Sequence, residues 1–191
     1  MVITPFQLNL NTVDLSDEQF YQLCQKNQDL QFELTSTGEL IIMPPVGGES
    51  GNREADLITD VNIWNRQTKL GYTFSSSTIF KLPNGAKRSP DAAWIKKERW
   101  EALTPEQKRK FPPIVPDFVI ELRSATDNLE TLHSKMQEYM DAGVKLAWLI
   151  NPQQQQVEIY RLGKDVELRS LPTELLGEDI LPGFSLSLDC Y

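Results

Sequence analysis

Apolar positions recur along this chain with two periods. Spacings of three and four mark helices, while alternation or short unbroken apolar runs mark strands. Ser16 suits an N-cap, Asp17 and Glu18 suit a first helical turn, and Phe20, Leu23 and Cys24 then fall on one face. "LQFELTSTGELIIMPP" reads as two strands about Ser36-Thr37-Gly38, stopped by Pro44-Pro45. "VGGESG" reads as a glycine-rich loop. The next stretch, "GNREADLITDVNIWNRQTKLG", predicts a helix with Ala55, Leu57, Ile58, Val61 and Trp64 inward and Gly71 as its stop. Two short strands follow in "YTFSSSTIFKLPNG". An extended segment leaves Ser89-Pro90, and a short polar helix starts at Thr104-Pro105.

The second half is denser. "DFVIEL" (117–122) has the unbroken apolar character of a strand covered on both faces. Asp127 and Glu130 have the spacing of a capping box for a helix over 128–142, which Gly143 ends. "VKLAWLIN" predicts another buried strand, "QVEIYRLGKDVELRSL" a hairpin turning at Gly163, and "LPGFSLSLDCY" an extended end. Helices and strands in this order predict an α/β fold with a mixed β-sheet core flanked by helices and added hairpins. One domain over 1–191 is expected, with residues 1–30 as an N-terminal helical extension.

Composition narrows the classes. Hydrophobic residues make 40% of the chain and charged residues 24%, as in a soluble globular protein. There is no apolar run of membrane-spanning length and no signal-peptide pattern, so no membrane partner and a cytoplasmic location are expected. Cys24 and Cys190 stand near opposite ends and form neither a disulfide framework nor a CxxC zinc pair. With His133 the single histidine, His-rich metal sites are excluded, and a Ser-His-Asp triad would have to use that residue. The net charge of −8 opposes nonspecific nucleic-acid binding. Yet eight of the 19 basic residues lie between Lys87 and Lys110, so this stretch is either a local basic surface or an ordinary solvated face.

Two acids sit in strands with apolar neighbours: Asp91 before "AAWI" and Glu121 after "FVI". Burying a carboxylate is costly unless a cation or hydrogen bonds compensate it. If the two strands are neighbours, both acids face one point. Two carboxylates, water and a main-chain carbonyl then make the incomplete oxygen cage that Mg²⁺ takes. Alternatively, each acid merely ends a strand and faces water or an arginine. On the following helix Leu129, Leu132, Met136, Tyr139 and Met140 form the apolar face, and Lys135 lies at its margin. From there Lys135 either reaches water along its stem or turns back toward the strand end. With Asp91 and Glu121 it would complete a metal-assisted hydrolytic site. Glu54, beside Asn52 and Arg53 at the start of the second helix, suits the helix dipole and could also assist a metal or a water. "GGESG" has neither a P-loop lysine nor Rossmann spacing. Trp64, Trp94 and Trp148 read as core, Trp100 as an edge, His133 as a surface residue and Ser124 as a local hydrogen-bonding group.

"SPDAAWI" (89–95), "PDFVIELRSATDN" (116–128), "LHSKMQEYMDAGVKLAWLINP" (132–152) and "GEDILPGFSLSL" (177–188) together resemble the Uma family of restriction-endonuclease-like proteins. That family lies within the broad PD-(D/E)xK nuclease superfamily. The resemblance implies a restriction-endonuclease-like fold and a Mg²⁺- or Mn²⁺-dependent DNA endonuclease, with a homodimer as the form expected for cutting two strands. Asp91 and Glu121 would hold the metal with the Leu122 carbonyl, Lys135 would position the attacking water, and Glu54 would match an acid on the first core helix. The superfamily lysine ordinarily stands two residues after the second acid. Arg123 occupies that place here, and Lys135 matches a helical replacement. Arginine stays protonated and cannot serve as a base, though it can hold a phosphate. Two other readings remain: a noncatalytic module that binds nucleic acid or protein and keeps the nuclease fold, and hydrolysis of a non-nucleic phosphodiester.

Overall fold

The computed structural model describes residues 5–189 apart from Asn11 and Asp14, so Cys190 lies outside the described residues. Strand β1 (Phe6–Asn9), helix α1 (Asp17–Lys26) and strands β2 (Gln31–Leu34) and β3 (Glu39–Met43) precede the long helix α2 (Gly48–Thr68). Strands β4 (Gly71–Ser75), β5 (Phe80–Lys81), β6 (Lys87–Arg88) and β7 (Ala92–Lys96) lead into short helices α3 (Lys97–Glu101) and α4 (Pro105–Arg109). Strand β8 (Phe118–Leu122), helix α5 (Leu129–Ala142) and strand β9 (Leu146–Asn151) form a crossover unit. Strands β10 (Gln156–Arg161), β11 (Glu167–Ser170), β12 (Thr173–Leu176) and β13 (Ser185–Leu188) complete the described chain.

The central sheet has the order β11-β10-β9-β8-β7-β4. Its β8–β9 pair is parallel, as a helical crossover requires, and its other pairs are antiparallel. A second sheet has the order β1-β3-β2-β6-β5, and β12 pairs with β13. The expected mixed α/β architecture is therefore present. No helix among the described residues is long and apolar enough to cross a membrane.

Both faces of the central sheet are covered, and strand alternation sorts the side chains. Ala92, Trp94, Phe118, Ile120, Trp148 and Ile150 pack with Leu57, Val61 and Trp64 of α2. Ala93, Ile95, Val119, Ala147 and Leu149 pack with Leu132, Met136, Tyr139 and Met140 of α5. All five residues of β8 and all six of β9 are buried, which accounts for their unbroken apolar sequences. Trp64, Trp94 and Trp148 are core residues, and the half-buried Trp100 packs against Phe74.

Local expectations were met at several caps. Ser16 and Thr104 each close a capping box, and Gly143 ends α5 with φ of 103°. Others need correction. Helix α2 begins at Gly48, so most of the expected glycine loop is its first turn, and Ala55 is exposed. The left-handed residue that ends α2 is Lys69, with φ of 57°. Gly71 instead starts β4, where a Cβ would lie 2.2 Å from the Ile95 carbonyl oxygen and 2.4 Å from the Trp94 ring. The cap of α5 is Asn128, which accepts from the N–H groups of Glu130 and Thr131, while Asp127 accepts from Ser124 N–H. Residues 1–30, expected to be helical, also contain β1, which pairs with β3.

Candidate metal centre

Pairing of β7 with β8 brings the two acids together. Ala92 lies opposite Ile120, and the next step of that antiparallel ladder sets Asp91 beside Glu121. Asp91 Oδ2 accepts from the Leu122 N–H at 2.6 Å. Parity aims both acids the same way: Asp91 follows Ala93 and Glu121 follows Val119, onto the face covered by α5. That helix presents Lys135 and Tyr139 one turn apart. Lys135 Nζ lies 2.8 Å from Glu121 Oε1 and 3.0 Å from Oε2, and the Tyr139 hydroxyl donates to Oε1 at 2.9 Å. Asp91, Glu121 and Lys135 thus meet at one place. Lys135 is buried, so its expected marginal position on α5 is closed over by the rest of the fold.

Glu33 is a fourth participant that sequence reasoning missed. Its neighbours Phe32 and Leu34 face the core of the second sheet, so alternation turns Glu33 to the opposite side of β2. On an isolated sheet that side would meet water. Here it meets the crossover unit, and Glu33 is 2% exposed. Its carboxylate takes Lys135 Nζ at 2.9 Å, the Arg88 guanidinium at 3.1 Å and the Ser89 N–H at 2.8 Å. Arg88 also pairs with Glu138, which accepts from Asn84 Nδ2.

Electrostatics separate these groups. Burial raises the Asp91 pKa well above the ordinary carboxylate range. The negative charges of Glu121 and Glu54 add to this rise, and Lys135 and the Leu122 N–H offset only part of it. Burial acts against charge on Glu33 as well, yet Lys135 and Arg88 outweigh it and hold the group below its usual value. Burial alone would lower the Lys135 pKa, but Glu121, Glu33 and Asp91 hold it above that of a free lysine. The surrounding carboxylates thus favour its ammonium form.

A divalent cation fits the donor set at the acidic pair. Asp91 is a half-buried carboxyl group crowded by two acids, and its Oδ2 alone accepts a hydrogen bond from a described residue. Among the described residues no three acidic, histidine or cysteine side chains converge to hold a metal by themselves. Asp91 and Glu121 would therefore supply two carboxylates to such an ion, with water completing the oxygen set that Mg²⁺ favours.

The remaining candidates are distributed as follows. Glu54 lies on α2 beyond its first turn, because the helix starts at Gly48, and it accepts from the Ser76 hydroxyl. Arg53 pairs with Glu49. Arg123 turns away from the acidic pair, toward Asn151 Oδ1 at 3.3 Å and the Asp127 carbonyl. His133 is exposed and pairs with Glu158, and Ser124 Oγ meets Thr126 Oγ1. Burial pushes the Cys24 thiol up to about 11, so it offers no thiolate near neutral pH. A cavity of about 330 Å³ near α1 and α4, where Asp17 pairs with Lys81 and Lys87, shares no residue with the acidic cluster.

The basic stretch is largely neutralised by its neighbours. Lys87 pairs with Asp17, Arg88 with Glu33, Lys96 with Glu98, Lys97 with Glu101, Arg99 with Asp117 and Lys110 with Glu18. Such pairing favours the solvated-face reading over a continuous positive surface.

Asp117, at the other end of β8 from Glu121, is a structural acid. It takes Lys145 Nζ at 2.8 Å, Arg99 at 2.8 Å and the Lys96 N–H at 2.9 Å, tying together the ends of β7, β8 and β9. Burial disfavours its charge, but Lys145, Lys96 N–H and Arg99 prevail and depress its pKa. A depressed carboxylate contributes stability that is present above its unfolded pKa of about 4 and lost as pH falls through the lower folded value. Asp117→Asn should therefore destabilise the protein near neutral pH and flatten the acid limb of its stability curve below about pH 4. Thermal unfolding across pH measures this, and an unchanged acid limb would rule Asp117 out as its source.

Comparison with known proteins agrees with this architecture. A family model described as "Putative restriction endonuclease" matches residues 17–189. Among solved structures, the chain is similar to a "putative nuclease belonging to DUF820" from Anabaena variabilis ATCC 29413. The TM-score is 0.70 and the identity 18%, covering 82% of this chain and 86% of that one. At that identity the likeness speaks for the fold. No curated protein matches the chain. The family match spans both acids, Lys135 and nearly all of the described fold, and by it the chain belongs to the Uma2 family of restriction-endonuclease-like proteins.

Proposed function

We propose that the protein is a Mg²⁺- or Mn²⁺-dependent endonuclease that hydrolyses DNA phosphodiester bonds, with Asp91, Glu121 and the Leu122 carbonyl as metal ligands. The observation that carries this reading is the meeting of Asp91, Glu121 and Lys135 on one face of the central sheet, formed by three elements distant in sequence. Bound there, the metal would polarise the phosphodiester and lower the pKa of a water. Asp91 is held in place by the Leu122 N–H, and Glu121 by the Tyr139 hydroxyl. Lys135, whose carboxylate neighbours favour its ammonium form, would orient the attacking water and stabilise the charge developing on the phosphate. Glu54 adds negative potential at Asp91 and assists from α2. Cutting both strands of a duplex calls for two such sites, hence a homodimer on its substrate.

Calorimetric Mn²⁺ titration tests the reading. Binding should strengthen with pH by up to about tenfold per unit while Asp91 must lose its proton to bind. Asp91→Asn should abolish binding. The competing reading, a binding module that keeps the fold, draws on the net charge of −8 and the neutralised basic stretch. It predicts no binding at millimolar Mn²⁺.

A further inference from the structure

We propose that Glu33 is a positioning residue for the metal centre, the acceptor onto which Lys135 shifts when a divalent cation takes Glu121. This inference rests on the metal-binding reading above. Lys135 Nζ lies 2.8 Å and 3.0 Å from the two oxygens of Glu121, so the ammonium spans the carboxylate edge that a divalent cation would approach. A divalent ion on that edge repels the ammonium strongly in so buried a place. Displaced without a partner, Lys135 would become an unpaired buried charge, and cation binding would bear that penalty.

Glu33 removes the penalty because it already touches Lys135 at 2.9 Å. Its carboxylate does not follow the lysine. It is fixed independently by the Arg88 guanidinium at 3.1 Å and the Ser89 N–H at 2.8 Å, all on the second sheet and the segment leaving it. In this group the buried Glu33 and Glu121 and the half-buried Glu138 stand against Lys135 and Arg88, so the cluster lacks positive charge before any metal arrives. Lys135 therefore needs to move only a short way along its own stem, from a shared position between two carboxylates to Glu33 alone. Glu33 touches neither the metal nor the substrate in this arrangement and acts through Lys135.

The test is a double-mutant cycle read by Mn²⁺ calorimetry at fixed pH. Glu33→Gln keeps the side-chain shape and an acceptor for the Ser89 N–H while removing the charge. It should weaken Mn²⁺ binding by about tenfold or more, the usual effect of losing a group that orients a ligand. In the Lys135→Met background the same change should alter affinity by less than about threefold, because no ammonium remains to be received. An equal loss in both backgrounds would show that Glu33 acts only by its own charge and would overturn the proposal, as would unchanged affinity in Glu33→Gln. Absence of Mn²⁺ binding by the unmodified protein would instead overturn the metal-binding reading, and this inference with it. A second measurement needs no Glu33 variant. In ¹⁵N-lysine NMR of the unmodified protein, the Lys135 ammonium signal, assigned by its loss in Lys135→Met, should shift as calorimetrically verified Mg²⁺ binding saturates. A signal unmoved at saturation would overturn the proposal even if Glu33→Gln does not fold.

Discussion

Lys135→Ala is expected to lower the unfolding free energy by about 3–5 kcal/mol, the usual consequence of removing one partner from a buried ion pair. The cause is the pair of carboxylates left behind. Glu121 would keep only the Tyr139 hydroxyl, and Glu33 would keep Arg88 and the Ser89 N–H. Both acids are buried to within 3% exposure, so water cannot replace the ammonium without opening the seam between α5 and the second sheet. Neutralising the acids as well should reverse much of the loss. The triple variant Glu33→Gln, Glu121→Gln, Lys135→Met should be markedly more stable than Lys135→Ala, because an uncharged cluster avoids the desolvation penalty. Urea unfolding of the purified variants measures both effects. A loss below about 1 kcal/mol for Lys135→Ala would mean that the cluster is hydrated and behaves like a surface pair.

Glu121→Ala should remove metal-dependent cleavage of plasmid DNA, with a fall beyond about 100-fold, since even residues that merely orient metal ligands cost 10–100-fold. The companion Glu121→Gln separates chemistry from folding. It still accepts from the Tyr139 hydroxyl and nearly keeps the side-chain volume, yet lacks the charge needed for the ion. Both variants should be inactive, and Glu121→Gln should unfold cooperatively. Undiminished cleavage by either variant, with Mn²⁺ present, would remove Glu121 from the active site.

Much of this site was legible because strand and helix periods are local. The unbroken run in "DFVIEL" marked a strand covered on both faces, and Glu121 at its end stood out against its neighbours. The apolar run "AAWI" likewise marks Asp91 as an acid entering a buried strand. Asp117, the other acid of the same segment, carries no such signal, because a strand's first residue commonly meets water. It turned out to be the anchor of three strand ends. Errors at helix ends were of a different kind. Asn128 and Asp127 are both able to cap, and only the path of the loop after β8 decided between them. Lys69 adopts the left-handed conformation that glycine usually takes, while Gly71 answers a close approach of β7 that no local pattern records.

By itself the sequence determined the main helices and the strands of the crossover unit, though not β1, α3 or β12, along with the burial of β8 and β9 and the identity of two acids and a lysine able to share one site. These follow from periodicity and from the cost of burying charge, both readable over a few residues. Tertiary structure alone decided what surrounds them. It turned Arg123 away toward Asn151, extended α2 back to Gly48, and brought Glu33 from the second sheet onto Lys135, 102 residues along the chain. Alternation states which side of a strand a residue faces, but not what packs there. For Glu33 that neighbour is a helix from the other half of the molecule, and its lysine turns what reads as a solvent-facing acid into a buried partner of the Glu121–Lys135 pair.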